Sequence, residues 1–407
     1  MVRVFTKAGL LALSLLAVST SAYAERRIVV FQPSVAKAQR VALAQAAGGR
    51  VVRELPLINA VVVELGQLSV AEGRLRALAE VKRVDPDPKI NWLQAADARG
   101  VDFAAPSAAG ILKNIEALKA RAKQEAPSEP EPSAPGQETP WGIKRVQAPA
   151  AWATTRGQGV KLAVIDTGID MTHPELSGIL KGGWNAISTS TTFNDDNGHG
   201  THCAGTIAAK DDAAGVVGVA PEIDLYGVKV LDEGGSGTFD DVIAGMLWAV
   251  ENKMEIASMS LGAGRGNPAL ADAVEVMRKA GVILIAAAGN SGGSVGFPAA
   301  YPGAIAVAAS DSADKLAGFS SRGPSVAVIA PGVNVKSTYM GGGYDTLSGT
   351  SMATPHVAGL AALYVATHKG ATPEQARAAL TAASAKLPNV PDIGQGAGLP
   401  TAPALVR

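Results

Sequence analysis

The chain has 407 residues, 47% of them hydrophobic and 18% charged, enough for two or three domains with a sizeable core. Its 36 basic residues balance 36 acidic ones, so no net charge draws it to nucleic acid or to an anionic membrane. The one cysteine, Cys203, excludes an intramolecular disulfide.

Arg3 and Lys7 precede an apolar run over residues 8–18, and Ala22-Tyr23-Ala24 follows. A charged start, a short apolar stretch and small residues at the end predict an export signal over residues 1–24, cut after Ala24. The run falls short of the roughly 20 residues that a membrane span needs, and the mature chain is expected to lack a membrane segment.

Residues 25–93 read as a compact unit. Strands are expected over 27–31, 51–55, 60–65 and 81–84, with helices over 34–47, stopped by Gly48-Gly49, and 70–80. The order β-α-β-β-α-β predicts a small α+β split βαβ domain. Residues 94–139 read as a linker. Its first half has a helical pattern over 111–124, and its second half is crowded with Pro, Glu, Ser and Ala, a composition unable to bury a core.

From residue 140 to 407 the pattern changes to short apolar runs at 160–165, 225–231, 256–261, 282–288 and 304–308. Helical stretches are expected at 240–252, 269–280, 360–366 and 373–383. Continuous apolar strands separated by helices predict an α/β fold with a doubly wound, mostly parallel sheet covered on both faces. Such sheets place ligands beyond the carboxyl ends of their strands.

Four segments carry chemistry-bearing residues. The first strand ends in Asp166-Thr167-Gly168. His199 stands between two glycines in a run that also holds His202, whose spacing from His199 leaves metal binding open. Ser351 sits where a loop enters a helix, and Asn290 follows a buried strand and Gly289. Taken singly, each has an ordinary reading: a turn Asp, a metal or core His, an N-cap Ser, a turn Asn. Together they stand in the order Asp, His, Ser, one of the known orders of acid, base and nucleophile in serine proteases.

Residues 141 to the C-terminus resemble the subtilisin family of serine proteases, through AVIDTGID at Asp166, GHGTHCAGT at His199 and GTSMATPHVAG at Ser351. AAAGN at Asn290, SMSLG, FPAAYP and FSSRGP with APG add to the match. The resemblance implies Ser351 as nucleophile, His199 as general base and then acid, Asp166 as the group orienting it, and Asn290 as an oxyanion donor. It also implies that Ser260, Leu261, Gly262, Ala287, Ala288 and Gly289 wall the primary specificity pocket, with Gly296 at its floor. Gly235, Ser236 and Gly237 would pair with extended substrate backbone. No acid stands at position 296 and Asn197 precedes Gly198-His199, which favours apolar or aromatic residues before the cut, although Asp195 and Asp196 lie nearby. Cys203 beside His199 is expected to pack, with mercurial sensitivity as a consequence. His173, His202, His356 and His368 are expected to be structural.

A structural calcium ion is implied at Gln137, Glu175, Lys210, Asp212, Ala214 and Val216, with Glu175 where the family has a shorter Asp. Residues 25–93 resemble the subtilisin propeptide, an intramolecular chaperone and inhibitor whose C-terminal tail enters the substrate cleft. Its removal is expected between Leu93 and Gln137. The expected product is a monomeric exported endopeptidase acting on proteins and peptides. A relative using Glu and Asp at acid pH is disfavoured by His199 and Asn290, and a catalytically dead scaffold by the intact set.

Overall fold

The computed structural model describes residues 25–66, 68–93, 136–188 and 190–407. The expected export signal over 1–24 and nearly all of the expected linker, including the helical pattern at 111–124, lie outside the described residues.

The N-terminal part runs β1 (Glu25–Phe31), α1 (Lys37–Ala46), β2 (Gly49–Leu55), β3 (Ala60–Leu65), α2 (Leu68–Ala77) and β4 (Val81–Pro86). The strands form one antiparallel sheet in the order β2-β3-β1-β4. Gly49 opens β2 rather than serving only as a helix stop. Strand alternation sorts the side chains into two sets. Val29, Phe31, Val61 and Val63 pack beneath the helices with Ala44 and Leu75. Ile28, Val30, Ala60 and Val62 point the other way, joining a cluster formed with the rest of the molecule.

A short strand, β5 (Lys89–Asn91), leads into the second part, whose strands are β6 (Lys161–Asp166), β7 (Leu180–Asn185), β8 (Asp224–Lys229), β9 (Ser236–Thr238), β10 (Ile256–Met259), β11 (Ile283–Ala287), β12 (Ala304–Ser310) and β13 (Val326–Pro331). Seven of these make a sheet in the order β13-β12-β11-β10-β6-β8-β7, and every pairing in it is parallel. Helices α3 (His199–Ala208) and α6 (Thr350–Thr367) pack on one face with Leu162, Val164, Ile283, Ile285 and Val307. Helices α4 (Phe239–Glu251) and α5 (Pro268–Lys279) pack on the other with Ala163, Ile165, Ala257, Leu284 and Ala286. The N-terminal sheet lies on α4 and α5. Strand order reverses direction around β6, so the crevice for a ligand opens at the carboxyl end of that strand, where Asp166 is the last residue.

Three features differ from the sequence expectation. β7 contains Gly182 and Gly183, a weak strand signature, yet a Cβ on Gly183 would collide with the Gly227 carbonyl oxygen of β8. β13 and the hairpin β14 (Val335–Tyr339) with β15 (Gly343–Leu347) were not expected. α6 begins at Thr350, ten residues before the expected apolar stretch, and Ser351 is its second residue.

Candidate active site

Asp166 ends β6 completely buried, and its Oδ1 lies 2.7 Å from Nδ1 of His199. The same oxygen accepts the Thr167 N–H at 2.7 Å. His199 opens α3 directly after Gly198, whose φ of +103° belongs to the left-handed region that glycine tolerates. Burial would pull the imidazole's pKa down; the Asp166 charge and hydrogen bond, with the Asp195 charge, more than reverse this and raise it.

Ser351 meets this pair through the backbone of α6. Pro355 stands four residues later and has no N–H to offer, so the Ser351 carbonyl is released from the helical ladder. That carbonyl accepts the Ser260 hydroxyl at 2.8 Å and the Cys203 thiol at 3.5 Å. Cys203 Sγ, His199 and Asp166 each offer an atom within 4.8 Å of the others. The Ser351 hydroxyl in turn donates to the Ser260 carbonyl at 3.0 Å. The expected bridge from imidazole to both acid and hydroxyl is therefore half formed: the acid side is closed, and Ser351 Oγ is turned to the pocket wall.

Asn290 is anchored by one end only. Its Oδ1 accepts the Thr350 N–H at 2.8 Å and the Thr350 hydroxyl at 2.9 Å, which directs the Nδ2 donors away from Thr350 and beside Gly349. Thr350 also receives the Gly289 N–H at 3.0 Å, so one hydroxyl ties the end of β11 to the start of α6. The sequence reading missed Thr350; its position directly before Ser351 was the available signal. At the N-terminus of α6 the Asn290 oxygen takes the Thr350 N–H and the Gly349 carbonyl takes those of Met352 and Ala353, while the Ser351 N–H between them has no partner one helical turn back.

The two expected pocket walls, at Ser260–Gly262 and Ala287–Gly289, leave neighbouring strands β10 and β11. Gly296 donates its N–H to the Ala288 carbonyl at 2.9 Å, and a Cβ there would lie 3.2 Å from the Ala263 carbonyl oxygen. Neither nearby acid is free to meet a basic side chain: Asp195 is buried under five donors, and Asp196 pairs with Lys229 at 2.6 Å.

The edge at Gly235, Ser236 and Gly237 is taken by the chain itself. β5 pairs antiparallel with β9, Lys89 opposite Thr238 and Asn91 opposite Ser236. Trp92 donates its N–H to the Gly235 carbonyl, accepts the Gly262 N–H, and gives its indole N–H to the Gly237 carbonyl at 3.0 Å. Its ring is fully buried, 4.8 Å from that of Phe239. The Asn91 side chain then accepts the Leu93 N–H at 3.1 Å in a turn, and the Leu93 side chain lies over Gly235.

The other histidines are held in place. His202 bonds the Val335 carbonyl and is pulled down to about 3 by burial; His356 bonds the Met352 carbonyl and is pulled down to about 4 by burial. With His202 turned to β14, it makes no metal pair with His199. His173 bonds the Gly343 carbonyl, and His368 stacks on Tyr364.

Away from this crevice, Gln137, Glu175, Lys210 and Gly215 come together. Gln137 Nε2 donates to the Lys210 carbonyl at 2.8 Å, and the Lys210 N–H donates to the Glu175 carbonyl. Glu175 Oε1 accepts the Tyr344 hydroxyl at 2.7 Å, while its buried Oε2 has no partner. Burial raises the Glu175 carboxyl's pKa, and the Asp212 charge adds to that.

The subtilase family profile matches residues 157–398, well over half of the chain, and that of the fervidolysin N-terminal prodomain matches residues 16–87. Subtilisin Savinase of Lederbergia lenta is 51% identical over 229 residues, 56% of this chain and 84% of that protein. Alkaline elastase YaB of Bacillus sp. (strain YaB) is 47% identical over 262 residues, 64% and 68% of the two chains. Subtilisin E of Bacillus subtilis (strain 168) is 45% identical over 267 residues, 64% and 70%.

Proposed function

The chain belongs to the subtilase family of serine proteases, and we propose that it hydrolyses peptide bonds as an endopeptidase through Ser351, His199 and Asp166. The observation that carries this reading is the 2.7 Å contact of His199 with a buried acid at the carboxyl edge of the sheet, beside the Ser351 backbone.

The substrate lies between the Gly235–Gly237 edge and the Ser260–Gly262 wall, with the side chain before the cut entering toward Gly296. The uncharged walls favour apolar or aromatic residues there. Rotation about the Ser351 side-chain bond moves Oγ from the Ser260 carbonyl to the imidazole. As Oγ bonds to the scissile carbonyl carbon, its proton passes to His199 Nε2, and Asp166 stabilises the imidazolium while remaining ionised. Negative charge on the carbonyl oxygen meets the Asn290 Nδ2 donor and the Ser351 N–H. The imidazolium then protonates the departing amine as the carbon–nitrogen bond breaks. Water repeats the sequence on the acyl-enzyme and returns the proton to Oγ.

The reading extends to a zymogen exported by residues 1–24, with a propeptide over 25–93, a linker over 94–139 and a catalytic domain over 140–407. β5 and Trp92 cover the enzyme's own substrate edge; cleavage between Leu93 and Gln137 severs the covalent tie, and departure of the freed propeptide then opens the edge. No helix among the described residues is long and apolar enough to cross a membrane. The mature form acts as a monomer outside the cytoplasm.

The residues around Glu175 fit a hard cation. An orphaned, buried carboxylate oxygen is what a bound Ca²⁺ would satisfy. Glu175, the Gln137 amide oxygen, Asp212 and the carbonyls of Lys210, Ala214 and Val216 would hold it. When bound, the ion would offset the buried charge and tie the N-terminal segment of the catalytic domain to the loop at 210–216.

A fluorophosphonate probe tests the catalytic reading. The purified mature protein should label on Ser351 and lose activity, and Ser351→Ala should do neither. Equal labelling of both proteins would defeat it.

A further inference from the structure

We propose that Asp195, a buried carboxylate outside the triad, is the positioning residue that holds His199 in register with Asp166. This rests on the triad reading above.

Asp195 is 5% exposed and accepts five hydrogen bonds. Its Oδ1 takes the Thr167 hydroxyl at 2.9 Å and the N–H groups of Asn197 and Gly198 at 3.0 Å. Its Oδ2 takes the Thr201 N–H at 2.9 Å and the Thr201 hydroxyl at 2.6 Å. These donors flank the two members of the pair. Thr167 directly follows Asp166, Gly198 directly precedes His199, and Thr201 stands two residues after it. Thr167 closes the circuit by accepting the Gly200 N–H at 2.9 Å. The carboxylate thus joins the end of β6 to the first turn of α3, the two elements whose separation sets the contact between Asp166 and His199.

The loop carrying Asp195 is itself fixed to the sheet edge. The Asp195 N–H donates to the Ile169 carbonyl, and the Ile169 N–H to the Phe193 carbonyl. All five groups on the Asp195 carboxylate are donors, so a side chain with its own N–H groups cannot replace it without setting donor against donor in a buried place. The neighbouring Asp196 has no such role; half its side chain is exposed and it pairs with Lys229.

Asp195 also carries charge. The groups around His199 are Asp166 on β6, Asp195 on its loop, neutral His202 and Cys203 on α3, the Tyr339 phenol on β14, and the Lys229 ammonium on β8. The ammonium is engaged with Asp196 and with the carbonyls of Thr167 and Leu231. Asp195 is therefore the second anion that favours imidazolium, and its loss affects both geometry and proton affinity.

The experiment compares mature enzymes, produced from full-length chains, on a peptide anilide with an aromatic residue before the cut. Asp195→Asn should lower kcat on the order of 10²-fold, as a displaced catalytic group does, with little change in KM because Asp195 lies off the substrate edge. The acid limb of kcat/KM should move to lower pH, since one charge favouring imidazolium is gone. Thr167→Val keeps the charge and breaks the circuit, so it should lower kcat without moving the acid limb, and Thr167→Ser should restore kcat. A folded Asp195→Asn enzyme with wild-type kcat and an unmoved acid limb would overturn the proposal. If that variant does not fold, wild-type kcat in Thr167→Val would do so. Ser351→Ala serves as the separate control: activity surviving there would sink the triad reading itself, whatever the Asp195 variant does.

Discussion

The two sheets of this molecule solve the same problem in opposite ways. The seven-stranded sheet is parallel and covered on both faces by helices of its own domain, with α6 buried along nearly its whole length. The four-stranded sheet covers one face with its own helices and lays the other on α4 and α5. One domain carries all of its cover; the other borrows half. An antiparallel sheet that is apolar on both sides needs something against each of them.

Where the borrowed cover ends, charges take over. Arg26 reaches Asp87 and Asp240, Arg53 reaches Asp240 and Asp241, and Arg83 reaches Asp272. Around Asp240, three carboxylates face two guanidinium groups. Asp240 is fully buried, its Oδ1 has no partner, and burial with the neighbouring carboxylates pushes its pKa up to about 7. The faces of the large sheet are lined by apolar side chains; the joint between the domains holds a charge in excess.

That contrast can be broken at three places. The largest expected effect is on pH. In water an Asp titrates near 4, so the docked state binds an additional proton between about pH 4 and about pH 7. Docking is strongest on the acid side, weakens up to tenfold per unit as pH rises through that window, and levels off above it. Inhibition of the mature enzyme by its severed prodomain, measured across pH, should follow this course, and Asp240→Asn should flatten it. A flat wild-type profile would remove Asp240 from the joint's energetics. Next in size is Trp92→Ala. A fully buried aromatic anchor with a satisfied N–H is worth about 3 kcal/mol, roughly 10²-fold in the inhibition constant. Unchanged inhibition would mean that the apolar sheet face alone holds the prodomain. The smallest effect concerns the large domain. Chelation should lower the melting temperature of the mature enzyme by several degrees, the scale expected when a bound ion contributes about 2 to 3 kcal/mol. An unmoved transition would show that Glu175 holds no ion.

The sequence made the chemistry legible more fully than its support. Asp166, His199, Ser351 and Asn290 lie in long motifs, and the apolar runs of β6, β8, β10, β11 and β12 mark central strands of a parallel sheet. β7 escaped because Gly182 and Gly183 look like loop, although close approach to Gly227 explains a glycine there. The β14–β15 hairpin escaped because only a few of its residues, Val335 and Tyr344 among them, enter a core, while others serve α3: Ser337, Thr338 and the Val335 carbonyl bond the backbone and side chain of residues 201–202. Thr350 is marked only by standing directly before Ser351, and Asp195 has no signature of its own, since both roles depend on groups brought from separate parts of the chain. The α1 to β4 order was readable from alternation, but no pattern announced that Arg26, Arg53 and Arg83 would reach across to another domain.

Cys203 has a practical consequence. Thiol chemistry requires a thiolate and a path to it. This sulfur is wholly enclosed beneath His199, and burial pushes its pKa well above the ordinary value, so the native enzyme withholds both. Because it is the chain's only cysteine, each molecule carries one stopwatch for the opening of its own interior, started by any thiol-seeking dye and read without mutation.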